Sequence, residues 1–305
     1  MAQKAELSVS NIAWSSLKPD EARGAYSALE RLSVARIDVA PTVAFPQIKE
    51  EGVRSVGAME TAEFKKTLAE YGLSVAGMQS LTHGRPENIF NSDKQSLLAL
   101  REHFAAIFDL GQALGTRTLV FGSPRMRTTG DLTPAEIEER AAEFITNLDQ
   151  LAGDAGVLLG IEPVSLSYTE GEPVFGETGE DLVNFIAEMN RKHGTKNTRF
   201  VPDTFAMHDG NDLPIATLKR AAKLGVLAPH MQIAEAALAA PNDESPIAHD
   251  VFDTAFDNQL PALQKEGESP VIAIEMTRKD EDQEPLEVSI QRAISTVRRV
   301  YRQSL

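Results

Sequence analysis

Short apolar runs recur along this chain with helix-like stretches between them, and that alternation limits the fold more than any other feature. Eight runs occur, at 7–12, 35–39, 73–79, 118–122, 157–162, 198–203, 228–233 and 271–275, beginning about every 28 to 45 residues, the scale of one strand plus one helix. The stretches between them carry helix-start signals. Ser92 is followed three residues on by Gln95, and Thr133 by Pro134 at the first helical position and Glu136 at the third. Gly72, Gly115, Gly156, Gly194 and Gly225 each stand between a helical stretch and the next run, where a residue free to take positive φ ends a helix. Alternating apolar strands and helices predict a parallel sheet covered by helices. A chain of 305 residues has room for one large barrel or two ordinary domains, and eight units with no obvious linker predict a single (β/α)8 barrel domain over 1–305. A doubly wound sheet would more naturally carry a glycine-rich phosphate turn after its first strand. Ser10-Asn11-Ile12-Ala13-Trp14 follows there instead, and no G-x-G-x-x-G or P-loop pattern occurs.

The formal net charge of -15 narrows the class of partner. A surface this acidic repels a polyanion, and duplex binding needs clustered Lys and Arg, so nucleic acid is not expected. A cleft rich in carboxylates attracts divalent cations instead. The absence of cysteine removes disulfides and thiolate metal sites and fits a reducing compartment, leaving oxygen and imidazole as metal ligands. No run approaches the ~20 apolar residues of a membrane span, and MAQKAELSVS lacks the basic-then-apolar pattern of a signal peptide. The expectation is a cytoplasmic protein with no membrane partner.

In a (β/α)8 barrel the strand C-termini converge on one face, so polar groups closing the runs locate the chemistry. Glu162 closes GVLLGIE, Asp203 closes TRFVPD, His230 and Gln232 lie in APHMQIAE, and Glu275 closes VIAIE. One acidic residue at a strand end is usually a helix cap or a solvated loop group. Recurrence over strands five to eight points to one shared site. Ionised carboxylates after apolar runs are costly to bury alone, and a shared cation offsets their repulsion. The candidate metal ligands are therefore Glu162, Asp203, Glu275 and one of Gln232 and His230. His230 and Gln232 are two apart on a strand and point to the same side, so either could reach the metal. Such a hard set suits Mn2+ or Mg2+, with Co2+ tolerated if an imidazole takes part and zinc disfavoured without a histidine cluster. His103 and His193 fall on helical stretches and read as surface groups, and His249 as a loop residue. His83 and His208, just beyond strands three and six, suit a site role or a loop role equally.

Six stretches, SNIAW (10–14), APT (40–42), GRPENIF (84–90), LVFGSPRMR (119–127), IEP (161–163) and DTF (203–205), lie in this order along essentially the whole chain. Together they resemble the sugar phosphate isomerase/epimerase family of xylose isomerase-like barrels, LVFGSP followed by arginine being the most specific piece. The resemblance implies a (β/α)8 barrel, a divalent metal, often Mn2+, and isomerisation or epimerisation of a sugar or related polyol. It implies that Glu162 and Glu275 bind metal and exchange the substrate proton, that Asp203 is a ligand, and that Gln232 replaces the second histidine of the family's usual H-x-H. Two further departures mark the pocket: Ala206 stands where such epimerases often place a substrate-holding histidine, and Tyr168 where ketose epimerases place a glutamate. Barrels of this kind often form homo-oligomers.

The expected reaction is proton abstraction beside a carbonyl, with the metal stabilising an enediolate. A base on one face and an acid on the other, Glu162 and Glu275, is what epimerisation needs. Arg125 and Arg127 could pair with a substrate phosphate or carboxylate, with Arg85 and Arg278 as further candidates, or could simply balance local acids. Trp14 could stack on a sugar face or pack in the core. The remaining candidate substrate contacts are His83, His208 and His230. The alternatives are a dehydratase or deglycosylating lyase using the same chemistry, a hydrolase of the endonuclease IV type, and a non-catalytic sugar-binding or partner subunit. The segments 168–179 and 236–246 are long enough for lids or oligomer contacts.

Overall fold

The computed structural model describes residues 5–17, 19–209, 214–234, 270–276 and 284–300. Each apolar run holds a strand: β1 (Glu6–Ser10), β2 (Arg36–Val39), β3 (Ser74–Met78), β4 (Thr118–Phe121), β5 (Leu158–Ile161), β6 (Thr198–Phe200), β7 (His230–Ala234) and β8 (Val271–Glu275). All ladders are parallel, in the order β6-β5-β4-β3-β2-β1-β8-β7. Between β6 and β7 the contact is reduced to bridges, Phe200 with Leu227 and Asp203 with Gln232, with Phe200 N–H donating to Val226 O at 2.7 Å and Gln232 N–H to Pro202 O at 2.9 Å. These bridges close the curled sheet into a (β/α)8 barrel. Proline has no N–H to continue a ladder, so β6 stops short of Pro202 and leaves Asp203 on the loop beyond.

The helices that cover the sheet are α1 (Pro19–Arg31), α2 (Ala58–Ala69), α3 (Lys94–Leu114), α4 (Pro134–Asp154), α5 (Gly179–His193), α6 (Thr204–Asp209), α7 (Pro214–Lys223) and α8 (Leu286–Val300). Thr133 caps α4 through the expected reciprocal bonds with Glu136. At α3 the cap is Asp93, whose side chain accepts from Ser96 N–H, and not the expected Ser92. All five glycines expected to end helices take positive φ, from 66° at Gly72 to 79° at Gly115. On α3 the residues Leu100, Phe104, Ile107, Phe108, Gly111 and Leu114 recur at helical spacing and are buried. Phe104 meets Phe121 of β4 and Phe144 of α4 at ring-centroid distances of 5.3 and 6.1 Å, locking two helices onto the strand that leads into the site. Among the described residues no helix is long and apolar enough to cross a membrane.

Candidate active site

At the C-terminal ends of the strands lies a cavity of about 830 Å³ whose lining includes Gln79, His83, Arg125, Glu162, Asp203 and Glu275. Three of the four expected carboxylate or amide ligands thus share one space. Gln232 lies behind them, 1% exposed, bridged through its backbone to the Asp203 segment. Its Nε2 donates to Gln79 Oε1 at 2.6 Å, and Gln79 Nε2 donates in turn to Ser10 Oγ. A polar relay therefore crosses the barrel interior from β7 to β1. Gln232 Oε1 and Glu162 Oε2 are shielded from solvent and lack a hydrogen-bond partner among the described residues, the state in which buried oxygens are costly unless something else binds them.

The charges of the site act on one another. Enclosure raises Glu162 well above the ordinary carboxylate range, and the charges of Asp203 and Glu275 push it further against the pull of Arg127. Enclosure, then Asp203 and Asp38, raises Glu275 to about 8. Asp203 is raised to about 6 by enclosure, opposed by the N–H groups of Ala206 and Phe205. The Ala206 N–H donates to Asp203 Oδ1 at 2.7 Å, so Asp203 combines the helix-capping role of an ordinary strand-end aspartate with a place on the cavity wall. Among the described residues no three Asp, Glu, His or Cys side chains stand as a preformed metal cluster. The donor chemistry nevertheless fits a hard divalent cation: carboxylates that destabilise each other's charge, one of them, Glu162, with an oxygen unpartnered among the described residues, as is the Gln232 amide oxygen.

Several candidate substrate contacts sit elsewhere than on the cavity wall. Arg127 is 0% exposed; its guanidinium lies over the Phe121 ring, 5.7 Å from the centroid, and donates to Glu162 O at 2.8 Å. It faces the protein interior, because the turn Pro124–Arg127 is a 3-10 helix in which residues two apart point in different directions, and Arg125 alone reaches the rim. Trp14 is 2% exposed and packs edge-on against Tyr26, since Ser10 caps the turn Asn11–Trp14. His230 is 1% exposed, with Nε2 2.9 Å from Asp38 Oδ2, and Ser8 Oγ donates to Asp38 Oδ1 at 2.6 Å. It belongs to a polar layer inside the barrel. His103 is not a free surface group: its Nε2 lies 2.8 Å from Leu81 O. The side chains of His208 and Arg278, the residue His249 and the segment 236–246 lie outside the described residues.

The segment 168–179 is tied down, Thr129 N–H donating to Pro173 O and Phe175 N–H to Arg127 O, both at 2.9 Å. It carries Tyr168, 57% exposed at the cavity mouth, with its ring centroid 5.5 Å from that of Phe205. Gln79, Gly122 and Phe205 are site neighbours that attention to acidic and imidazole groups passes over. Gln79 and Gly122 close the third and fourth apolar runs, so the run-end rule itself points to them.

With this geometry in hand, the family model described as "Xylose isomerase-like TIM barrel" matches residues 39–299. No curated protein matches the chain. Similar solved structures include a D-psicose 3-epimerase in the presence of D-fructose, with TM-score 0.72 and 17% identity over 97% of this chain and 99% of that one. Another is the IOLI protein with a bound zinc atom, TM-score 0.68 and 18% identity over 98% and 99%. A third is the 3-keto-D-glucoside 4-epimerase from E. coli, TM-score 0.68 and 14% identity over 97% and 99%. At these identities the likeness is one of fold.

Proposed function

Because the chain belongs to the xylose isomerase-like TIM barrel family, we propose that it is a divalent-metal-dependent isomerase or epimerase of a sugar or sugar-like polyol, moving a proton beside a carbonyl through an enediolate. The observation that carries this reading is the meeting of Glu162, Asp203 and Glu275 on one cavity wall, each held above its ordinary carboxylate range. Glu162, Asp203, Glu275 and the amide oxygen of Gln232 would hold the cation, with Mn2+ favoured and Mg2+ or Co2+ accommodated. Bound there, it supplies Lewis-acid polarisation of the substrate carbonyl. Glu162 and Glu275 rise from strands separated by two others, so one removes the proton from one side of the bound carbon and the other returns it from elsewhere. Their proton affinity is raised in the metal-free protein, and a bound cation would lower it. On the rim, Arg125 and His83 bind substrate hydroxyls or an anionic substituent, and Tyr168 with Phe205 offers an aromatic face to sugar C–H groups.

The test is elemental mass spectrometry of protein purified without chelator, on wild type and on Glu162→Gln and Glu275→Gln, followed by a sugar panel in D2O. Near-stoichiometric Mn, Mg or Co, lost in both variants, with deuterium entering an epimerised or isomerised product, is the expected result. No metal after reconstitution with Mn2+ would overturn the mechanism, and loss of a β-substituent would reassign the enzyme to the lyases.

A further inference from the structure

We infer that the segment 121–127 is a positioning clamp for the Glu162 carboxylate, with Gly122 and Arg127 as its two jaws. The inference rests on the reading that Glu162 works at the site, and adds which residues fix it there. A Cβ built on Gly122 would stand 1.8 Å from Glu162 Oε1, 2.8 Å from its Cδ and 3.3 Å from its Cγ. The carboxylate therefore lies against the Gly122 backbone, a closeness that only glycine permits. From the other end of the same turn, Arg127 donates to Glu162 O at 2.8 Å. Its Nε and Nη1 have no hydrogen-bond partner among the described residues, and its charge acts on the Glu162 carboxylate.

Packing alone gives no reason for an arginine in this place. An apolar side chain of similar volume would stack on Phe121 without the desolvation of a guanidinium that leaves two nitrogens unbonded among the described residues. The backbone of the segment is shaped for the task. Ser123 takes the left-handed conformation at φ 46°, Pro124 starts the 3-10 turn, and at its end the Arg127 guanidinium meets the Glu162 carbonyl just past β5. One jaw sets where the carboxylate lies, and the other fixes the main chain that carries it. Gly122 and Arg127 are positioning residues, acting through Glu162.

The experiment compares wild type, Gly122→Ala, Glu162→Ala and the double variant in thermal unfolding, together with Mn2+ titration calorimetry of wild type and Gly122→Ala. In the wild-type background the added methyl displaces the carboxylate, so Tm falls and Mn2+ affinity drops by at least about tenfold. In the Glu162→Ala background the space is vacant and Gly→Ala restricts the unfolded chain, so Tm rises. A Gly122→Ala protein that fails to fold, with recovery in the double variant, supports the clamp equally. Equal Tm shifts in the two backgrounds overturn it, whatever the metal result. A wild type that binds no Mn2+ while the Tm shifts keep opposite signs sinks the metal reading and leaves the clamp standing. For the second jaw, Arg127→Met is expected to change the electron paramagnetic resonance spectrum of bound Mn2+, and an unchanged spectrum and affinity would remove Arg127 from the device.

Discussion

Gln232 joins the polar interior of the barrel to its proposed chemistry, so replacing it tests both at once. Its Nε2 donates to Gln79 Oε1 while its own Oε1 is unpartnered among the described residues. Gln232→Leu keeps much of the volume but leaves Gln79, itself 3% exposed, with a buried acceptor and no donor. Such a group costs about 1–3 kcal/mol. With an unfolding entropy of roughly 2.1 cal/mol/K per residue, the 305 residues give roughly 0.64 kcal/mol/K, so Tm falls by at most about 5 °C, and by less in metal-free protein, where the unpartnered Gln232 Oε1 goes with the substitution. The same change removes a proposed ligand oxygen, and Mn2+ affinity falls by at least about 10–100-fold, or about 1.4–2.8 kcal/mol.

Gln232→His has the opposite sign for metal. An imidazole raises affinity for Co2+ and Zn2+ more than for Mn2+. Competition titrations of chelator-treated protein with the three ions, run beside thermal melts, read both effects. A Gln232→Leu protein that melts lower yet keeps its Mn2+ affinity within about twofold would refute the reasoning, because the amide would then serve only the relay through Gln79 to Ser10.

Two further outcomes follow from the site. In EDTA, Asp203 and Glu275 titrate near 6 and 8 in the folded protein and Glu162 well above its ordinary value, against about 3.9 and 4.3 for Asp and Glu unfolded. The folded state binds more protons between those limits, so metal-free stability falls as pH rises from about 5 to 8, by up to about 1.4 kcal/mol per pH unit for each group titrating; urea melts showing stability rising over that window would contradict the shifts. Tyr168→Ala removes an exposed ring from the cavity mouth without opening the core, so KM for the substrate should rise about threefold to tenfold with kcat little changed, whereas a fall in kcat at constant KM would place the ring nearer the reacting atoms.

The fold was legible because its signals are local. An apolar run bounded by a helix-ending glycine needs no tertiary information, and each of the five such glycines adopts the backbone conformation its position requires. What neighbouring residues decide between themselves was less legible. Ser92 and Asp93 both suit a cap, and Asp93 takes it. Side-chain direction in the short turns was not legible at all. Arg125 and Arg127 look alike in sequence, and only the tight winding of Pro124–Arg127 sends one to the rim and the other under Glu162. Trp14 is turned onto Tyr26 in the same manner, by a turn that Ser10 starts.

The run-end rule that picks out Glu162, Asp203 and Glu275 applies equally to strands three and four, whose runs close on Gln79 and Gly122. Neither residue titrates, and a search for charge passes over both. In the barrel both touch candidate ligands: Gln79 accepts from Gln232, and Gly122 gives the Glu162 carboxylate its place. Four candidate ligands, three carboxylates and an amide on or just beyond strands five to eight, would need surroundings that hold the carboxylates against mutual repulsion. Strands one, three and four supply part of those surroundings with a hydroxyl, an amide and the absence of a side chain. Within the motif around 119–127, Gly122 lies against the Glu162 carboxylate while Arg127 donates to the main-chain carbonyl of that same residue, 35 positions further along the chain.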